Sequence, residues 1–175
     1  MAAHRDGWGS GDRRHRRGGG GLASTRAPGR GMIPRSGPWA VAEIEDYLHD
    51  AVIPVRIATI GSTGPLVQSL WFIYDDSALW CATQSDAVLV RRLRADPRCG
   101  FEIAADAPPY RGVRGRGRAS IELESAATVL PRLIERYLGS QPTELGTWLL
   151  SRLDSEVAVR ITDLTVTSWD YTGRM

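Results

Sequence analysis

Lysine is absent: all 22 basic residues of this 175-residue chain are arginines. Histidine and cysteine are scarce, at three and two copies. His4, His15 and His49 fall in a leading segment and a first helical stripe, so no zinc arrangement is formed and no metal site is expected. There is no Ser-His-Asp arrangement, no paired metal ligands and no GxxxxGK phosphate loop. An enzyme so short of catalytic side chains must take its chemistry from a cofactor and contribute binding, orientation and electrostatics itself. No apolar run is long enough to span a bilayer, and no secretory signal is visible. The expectation is a cytoplasmic protein without membrane contact. Cys81 and Cys99 then stay reduced, as small buried groups on two inward-looking strand positions.

Charge is unevenly distributed. Residues 1–31 hold seven arginines against two acids, and the remainder fifteen against eighteen. The basic character therefore belongs to the Gly/Arg-rich leader, which offers too little apolar surface to offset the entropy of ordering. The leader reads as a disordered tail or a start placed too early, with Met32 as the alternative first residue. A Gly/Arg tail can neutralise nucleic-acid phosphates, but its composition is too unspecific to make nucleic acid the expected partner. What remains, residues 38–175, suits one domain with a core and is too short for two.

The pattern along this domain is mostly β. Ala40, Ile44, Tyr47 and Leu48 form a helical stripe. Pro54 opens a β-branched run ended by Gly61-Ser62-Thr63-Gly64, a hairpin loop. Residues 66–74 read as one strand, apolar on both faces, covered by helices or a second subunit. Asp75-Asp76-Ser77 turns the chain into a strand over 78–83, and a short helix follows over 86–95, with Asp86 as its natural N-cap. A strand over 98–104, the Pro108-Pro109 break and a long glycine-punctuated strand over 111–123 come next. Leu130, Leu133, Ile134, Tyr137 and Leu138 repeat at helical spacing up to Gly139, with Pro131 expected to start or kink that helix. A further helix over 143–153 precedes two closing strands, one carrying Val157, Val159 and Ile161, the other covering 164–171.

Hairpin, crossover helix, strand and long strand, in that order, resemble the pyridoxamine 5′-phosphate oxidase-like split-barrel family with its flavin and deazaflavin branches. The likeness covers roughly residues 52–175. It is carried by Leu70-Trp71-Phe72-Ile73-Tyr74-Asp75-Asp76, by Leu93-Arg94-Ala95-Asp96-Pro97-Arg98, by Pro108-Pro109-Tyr110-Arg111-Gly112 and by the terminal Ser168-Trp169-Asp170-Tyr171. The resemblance implies a split β-barrel with flanking helices, and a flavin-dependent oxidoreductase acting on a small molecule. A flavin, deazaflavin or haem binder without turnover is the alternative.

It also implies a site. The flavin ring would lie on the Val67-Gln68-Ser69-Leu70-Trp71 backbone, with Gln68 and Ser69 bonding its edge, unless these are ordinary barrel residues. Thr83 and Gln84 would meet the phosphate, or simply form a capping turn. Relatives carry a Ser-Arg-Lys-like patch where this chain has Ala87, Val88 and Leu89, and Asp86 would repel a phosphate. Arg91 or Arg92 could replace the missing lysine, or both could be surface arginines. Arg114, Arg116 and Arg118 share one face of the long strand, able to hold an acidic cofactor tail or merely to keep an edge soluble. Its glycines would admit a backbone or a planar ring. Trp169 matches a position near the partner subunit's cofactor, though a seam tryptophan needs no ligand. FMN is the expected cofactor, deazaflavin the alternative, and catalytic residues stay unassigned. The two-faced apolar strand 66–74, with Trp71 and Trp80, leaves more apolar surface than one small barrel and its short helices can cover, which points to a homodimer.

Overall fold

The computed structural model describes residues 31–175. The arginine-rich leader, read above as a disordered tail or a start placed too early, lies outside them. Among these residues one eight-stranded sheet runs in the order β3 (Gly64–Leu70), β2 (Val55–Gly61), β6 (Arg98–Ala104), β7 (Arg111–Glu122), β8 (Glu156–Asp170), β5 (Ala78–Gln84), β4 (Ile73–Asp75), with β1 (Ile33–Ser36) paired to β8 off this path. All pairings are antiparallel except that of β1 (Ile33–Ser36) with β8 (Glu156–Asp170). The sheet curls without closing, which is the split barrel the sequence leads one to expect.

The elements follow from local chemistry. Helix α1 (Val41–Asp50) buries Ile44 and Leu48, and Glu43 accepts the Ala40 N–H at 2.7 Å. Strands β2 (Val55–Gly61) and β3 (Gly64–Leu70) form the expected hairpin. Asp76 and Ser77, both at positive φ, make the two-residue turn between β4 (Ile73–Asp75) and β5 (Ala78–Gln84). After α2 (Val88–Ala95), β6 (Arg98–Ala104) and β7 (Arg111–Glu122) pair along their length. Helix α3 (Ala126–Leu138) holds Pro131 inside it, and α4 (Glu144–Leu150) is short.

The interior is a single apolar cluster. Val55 and Ile57 of β2, Leu79 and Cys81 of β5, and Phe101 and Ile103 of β6 face inward. Ile44 and Leu48 of α1 and Leu89 and Leu93 of α2 pack against them. Burial holds both thiols protonated: Cys99 is pushed up to about 11, and Cys81 further. Helix α3 lies on the outer side, over Ile73 and Ala158. Among the described residues no helix is long and apolar enough to cross a membrane.

Three expectations need correction, and one strand was not anticipated. Residues 66–74 are two strands, because the chain leaves the ladder after Leu70. The Phe72 N–H bonds to the Tyr137 hydroxyl at 3.2 Å instead. The two closing strands are one, β8, whose hydrophobic phase slips by a residue at Asp163 (φ +53°) opposite Arg116 and Arg118. Helix α2 begins at Val88 with Ala87 as its N-cap, and Asp86 makes no cap. The turn is closed instead by Ser85 N–H to Ser155 O and Ala87 N–H to Gln84 O, at 2.8 and 3.0 Å. Finally, β1 is an exposed strand that lacks alternation and contains Pro34, so nothing in its residues announces it.

Candidate functional site

The outer face of the sheet, from β3 across to β1, carries no helix against its centre and holds a groove of about 510 Å3. Alternation along the strands decides what lines it. On β7, Val113 and Gly115 turn inward while Arg114 and Arg116 turn out. On β2, Val55 and Ile57 turn inward, leaving Arg56 and Ala58 outside. Strand β1 adds Arg35, β8 adds Thr165 and Thr167, and β3 adds Val67. The floor is low because Ala58 and Gly100 carry little side chain.

Four guanidiniums thus surround one carboxylate, Glu102, which pairs with Arg56 at 3.6 Å. Arg56 also donates to Ala104 O at 3.2 Å. Among the described residues Arg35, Arg114 and Arg116 make no ion pair. Arg114 lies over the Trp169 ring, 5.6 Å from its centroid. A flat floor with surplus positive charge can receive a planar anion and hold its acidic part by bidentate bonds. Gly115 admits the molecule's own core: a Cβ there would meet Thr165 O at 2.4 Å and the Phe101 ring at 2.8 Å.

The nine residues singled out from the sequence do not converge on one spot. Arg114, Arg116 and Trp169 share the groove side of the sheet. Ser69 and Trp71 line a smaller cavity where β3 and β5 separate, beneath α3 and α4. Trp71 stacks on Tyr137 there, with centroids 4.9 Å apart and 8° between planes. Gln68 points into the barrel, where its Oε1 is buried without a partner among the described residues. Thr83 and Gln84 end β5, and Gln84 Nε2 donates to Ser155 Oγ at 3.2 Å.

Arg92 is already engaged. It donates to Gly64 O at 3.0 Å, to Thr59 O at 3.3 Å and to Thr63 Oγ1 at 3.2 Å, fastening α2 to the β2–β3 hairpin. Arg91 folds back on the Asp86 carbonyl. Both arginines are thus occupied by the protein's own backbone rather than turned toward Thr83 and Gln84. The groove's other lining groups, Arg35, Arg56 and Glu102, went unremarked in the sequence. Arg56 was findable from its place in an alternating strand, whereas Arg35 sits on a strand with no signature. Among the described residues no three His, Cys, Asp or Glu side chains gather as a metal site.

No protein-family model matches the chain, and no curated protein does. Solved structures do. A conserved hypothetical protein, Rv2991 from Mycobacterium tuberculosis, superposes with a TM-score of 0.65 at 29% identity, over 83% of this chain and 89% of that one. An F420 reductase does so with 0.58 at 20% identity, over 69% and 94%. A putative pyridoxamine 5′-phosphate oxidase from Listeria innocua gives 0.54 at 13% identity, over 73% and 94%. These likenesses show the fold: the chain has the split-barrel architecture that these solved structures share.

Proposed function

We propose that this protein is an oxidoreductase that binds a flavin-type cofactor in the arginine-lined groove and acts on a small organic molecule. The observation that carries this reading is the groove itself: a flat floor of Ala58 and Gly100 beside Arg35, Arg114 and Arg116, which have no ionic partner among the described residues. Its volume suits a cofactor-sized ligand. The F420 reductase among the fold relatives supports the same cofactor class.

A deazaflavin fits better than FMN. FMN presents one compact phosphate, and the groups expected to grip it are occupied: Arg92 by the hairpin and Gln84 by Ser155. The groove's arginines come from three strands, β1, β2 and β7, which suits an acidic tail running across the sheet. When bound, such a cofactor supplies hydride transfer. The chain supplies the charged rim, with Trp169 packed against Arg114 to steady it. A haem is less well served, since His49, the one histidine among the described residues, lies edge-on against Tyr74 at 5.2 Å. A binder without turnover is the second reading, favoured by Glu102, the groove's one carboxylate, being held by Arg56.

Titration of FMN and a deazaflavin into the full-length protein tests the proposal. Losing one charge-assisted bond costs about 1.5–3 kcal/mol, so Arg114→Ala and Arg116→Ala should each weaken the deazaflavin by roughly tenfold or more. Arg92→Ala should lower the melting temperature and leave cofactor affinity unchanged. Failure of the wild type to bind either cofactor sinks the proposal. Binding without reduction in the presence of a hydride donor selects the second reading.

A further inference from the structure

The cavity in the split of the barrel has a different chemistry from the groove. Its volume is about 270 Å3, and its walls are Leu70 and Trp71 from the β3 end, Leu130 and Leu133 of α3, and Leu145 and Leu149 of α4. Ser69 and Glu156 are the polar residues in this lining. Glu156 is 9% exposed; no hydrogen bond or ion pair reaches its carboxylate among the described residues, and the carboxylate oxygens keep contact with solvent at the cavity's edge. Burial pushes that carboxyl up, opposed only in part by the charge of Arg152, which lies instead over the Trp148 ring at 4.3 Å. A carboxylate at the edge of a leucine-lined wall loses part of its hydration, and a cation seated in the cavity answers its charge.

We propose that the split between β3 and β5 is a binding site for a small apolar amine, its ammonium on Glu156 and its hydrocarbon or aromatic body among the leucines and Trp71. The chemistry selects this class. The apolar walls reject strongly hydrated ligands, the lone carboxylate rejects anions, and an N–H donor satisfies it. The size of the cavity suits one ring with a short side chain. Helix α4 forms the outer wall as a short element, with Leu145 at 45% exposure on its rim, so entry requires little rearrangement. Val67 lines the groove and Ser69 the cavity, and both point to the same side of β3, so the two sites are neighbours separated by about 7 Å along the strand. The inference holds whether or not the groove carries a flavin.

Calorimetry on the full-length protein without added cofactor tests it, using 2-phenylethylamine, 2-phenylethanol and phenylacetate as probes. Wild type should bind the amine at least tenfold more tightly than the alcohol and should exclude the acid. Glu156→Gln should stay folded, with an equal or higher melting temperature, and reduce the amine–alcohol preference to about twofold or less. Leu145→Trp, at a half-exposed rim position, should weaken amine and alcohol together by filling the cavity. Equal binding of amine and alcohol by wild type, or no binding of either, would overturn the proposal. So would an amine preference that survives Glu156→Gln, or amine affinity that Leu145→Trp leaves untouched.

Discussion

At the scale of single residues, Tyr74 shows how one side chain ties elements together and sets a response to alkali. Its phenol donates to Glu45 Oε1 of α1 at 2.8 Å while its ring lies in the barrel core. Burial first, then the bond to Glu45 and its charge, pushes the phenol from 10.0 up to about 12. The folded state therefore favours the neutral phenol. That stability is fully present below the ordinary value and is lost as pH rises from about 10 to about 12. Thermal melts across this window should show a steep fall for wild type and a shallower one for Tyr74→Phe, which lacks the titrating group. Identical slopes would show that Tyr74 is not a source of the alkaline loss. Arg92 shows the limit of reading at this scale. Its place one helical turn beyond the missing lysine is visible in the sequence. That the 59–64 hairpin folds back to take its guanidinium is a long-range contact no local pattern records.

At the scale of elements, most of the architecture was legible because alternation and turn chemistry are local. The 98–104 strand, the Asp76-Ser77 turn and the Gly139 helix end stand where the residues place them. The misreadings share one physical cause: a change of phase looks like a boundary, and a continuous apolar run hides one. In β8 the inward set Val157, Val159, Ile161 resumes at Leu164 rather than at Asp163, because Asp163 adopts a left-handed conformation and absorbs one residue. In 66–74 the side chains stay apolar while the backbone leaves the sheet, so Trp71 packs on Tyr137 and Phe72 enters the core. The candidate site was half legible for the same reason. Arg114 and Arg116 lie on an alternating strand, while the strands that bring Arg35 and Arg56 beside them are set by sheet order. The bulge gives a direct test. Inserting one residue after Asp163 should reverse inside and outside for one half of β8, a slip that turns Leu164 and Val166 out of the core. A melt of that variant should show a loss of many degrees or no folded state, whereas Asp163→Gly, which tolerates positive φ, should fold normally. A stable insertion variant would show that the bulge does not set the register.

At the scale of the whole molecule, the question is what covers the outer sheet face. The expectation of a homodimer rested on the apolar run 66–74 together with Trp71 and Trp80; the two tryptophans pack within the protomer, against the cluster under α3. Exposed apolar surface lies elsewhere. Ile60 and Val67 stand out on neighbouring strands at 68% and 60% exposure, and Ile33 stands out on β1 at 53%, on the same broad face as the arginine groove. An apolar rim around a basic, small-residue floor is a poor surface to leave in water, and a second copy is the partner always present in solution. Apposing two such faces would also set the arginines of both copies near each other, which costs energy unless an anion lies between them. The dimer and the acidic cofactor should therefore be linked: each stabilises the other by the same free energy. Light scattering at micromolar concentration should find a dimer that tightens when deazaflavin is added and when Arg116→Ala relieves the repulsion. Val67→Asp should shift the protein toward monomer and weaken the cofactor in parallel. A clean monomer with full cofactor affinity would separate the two, and leave the groove as the complete site of one chain.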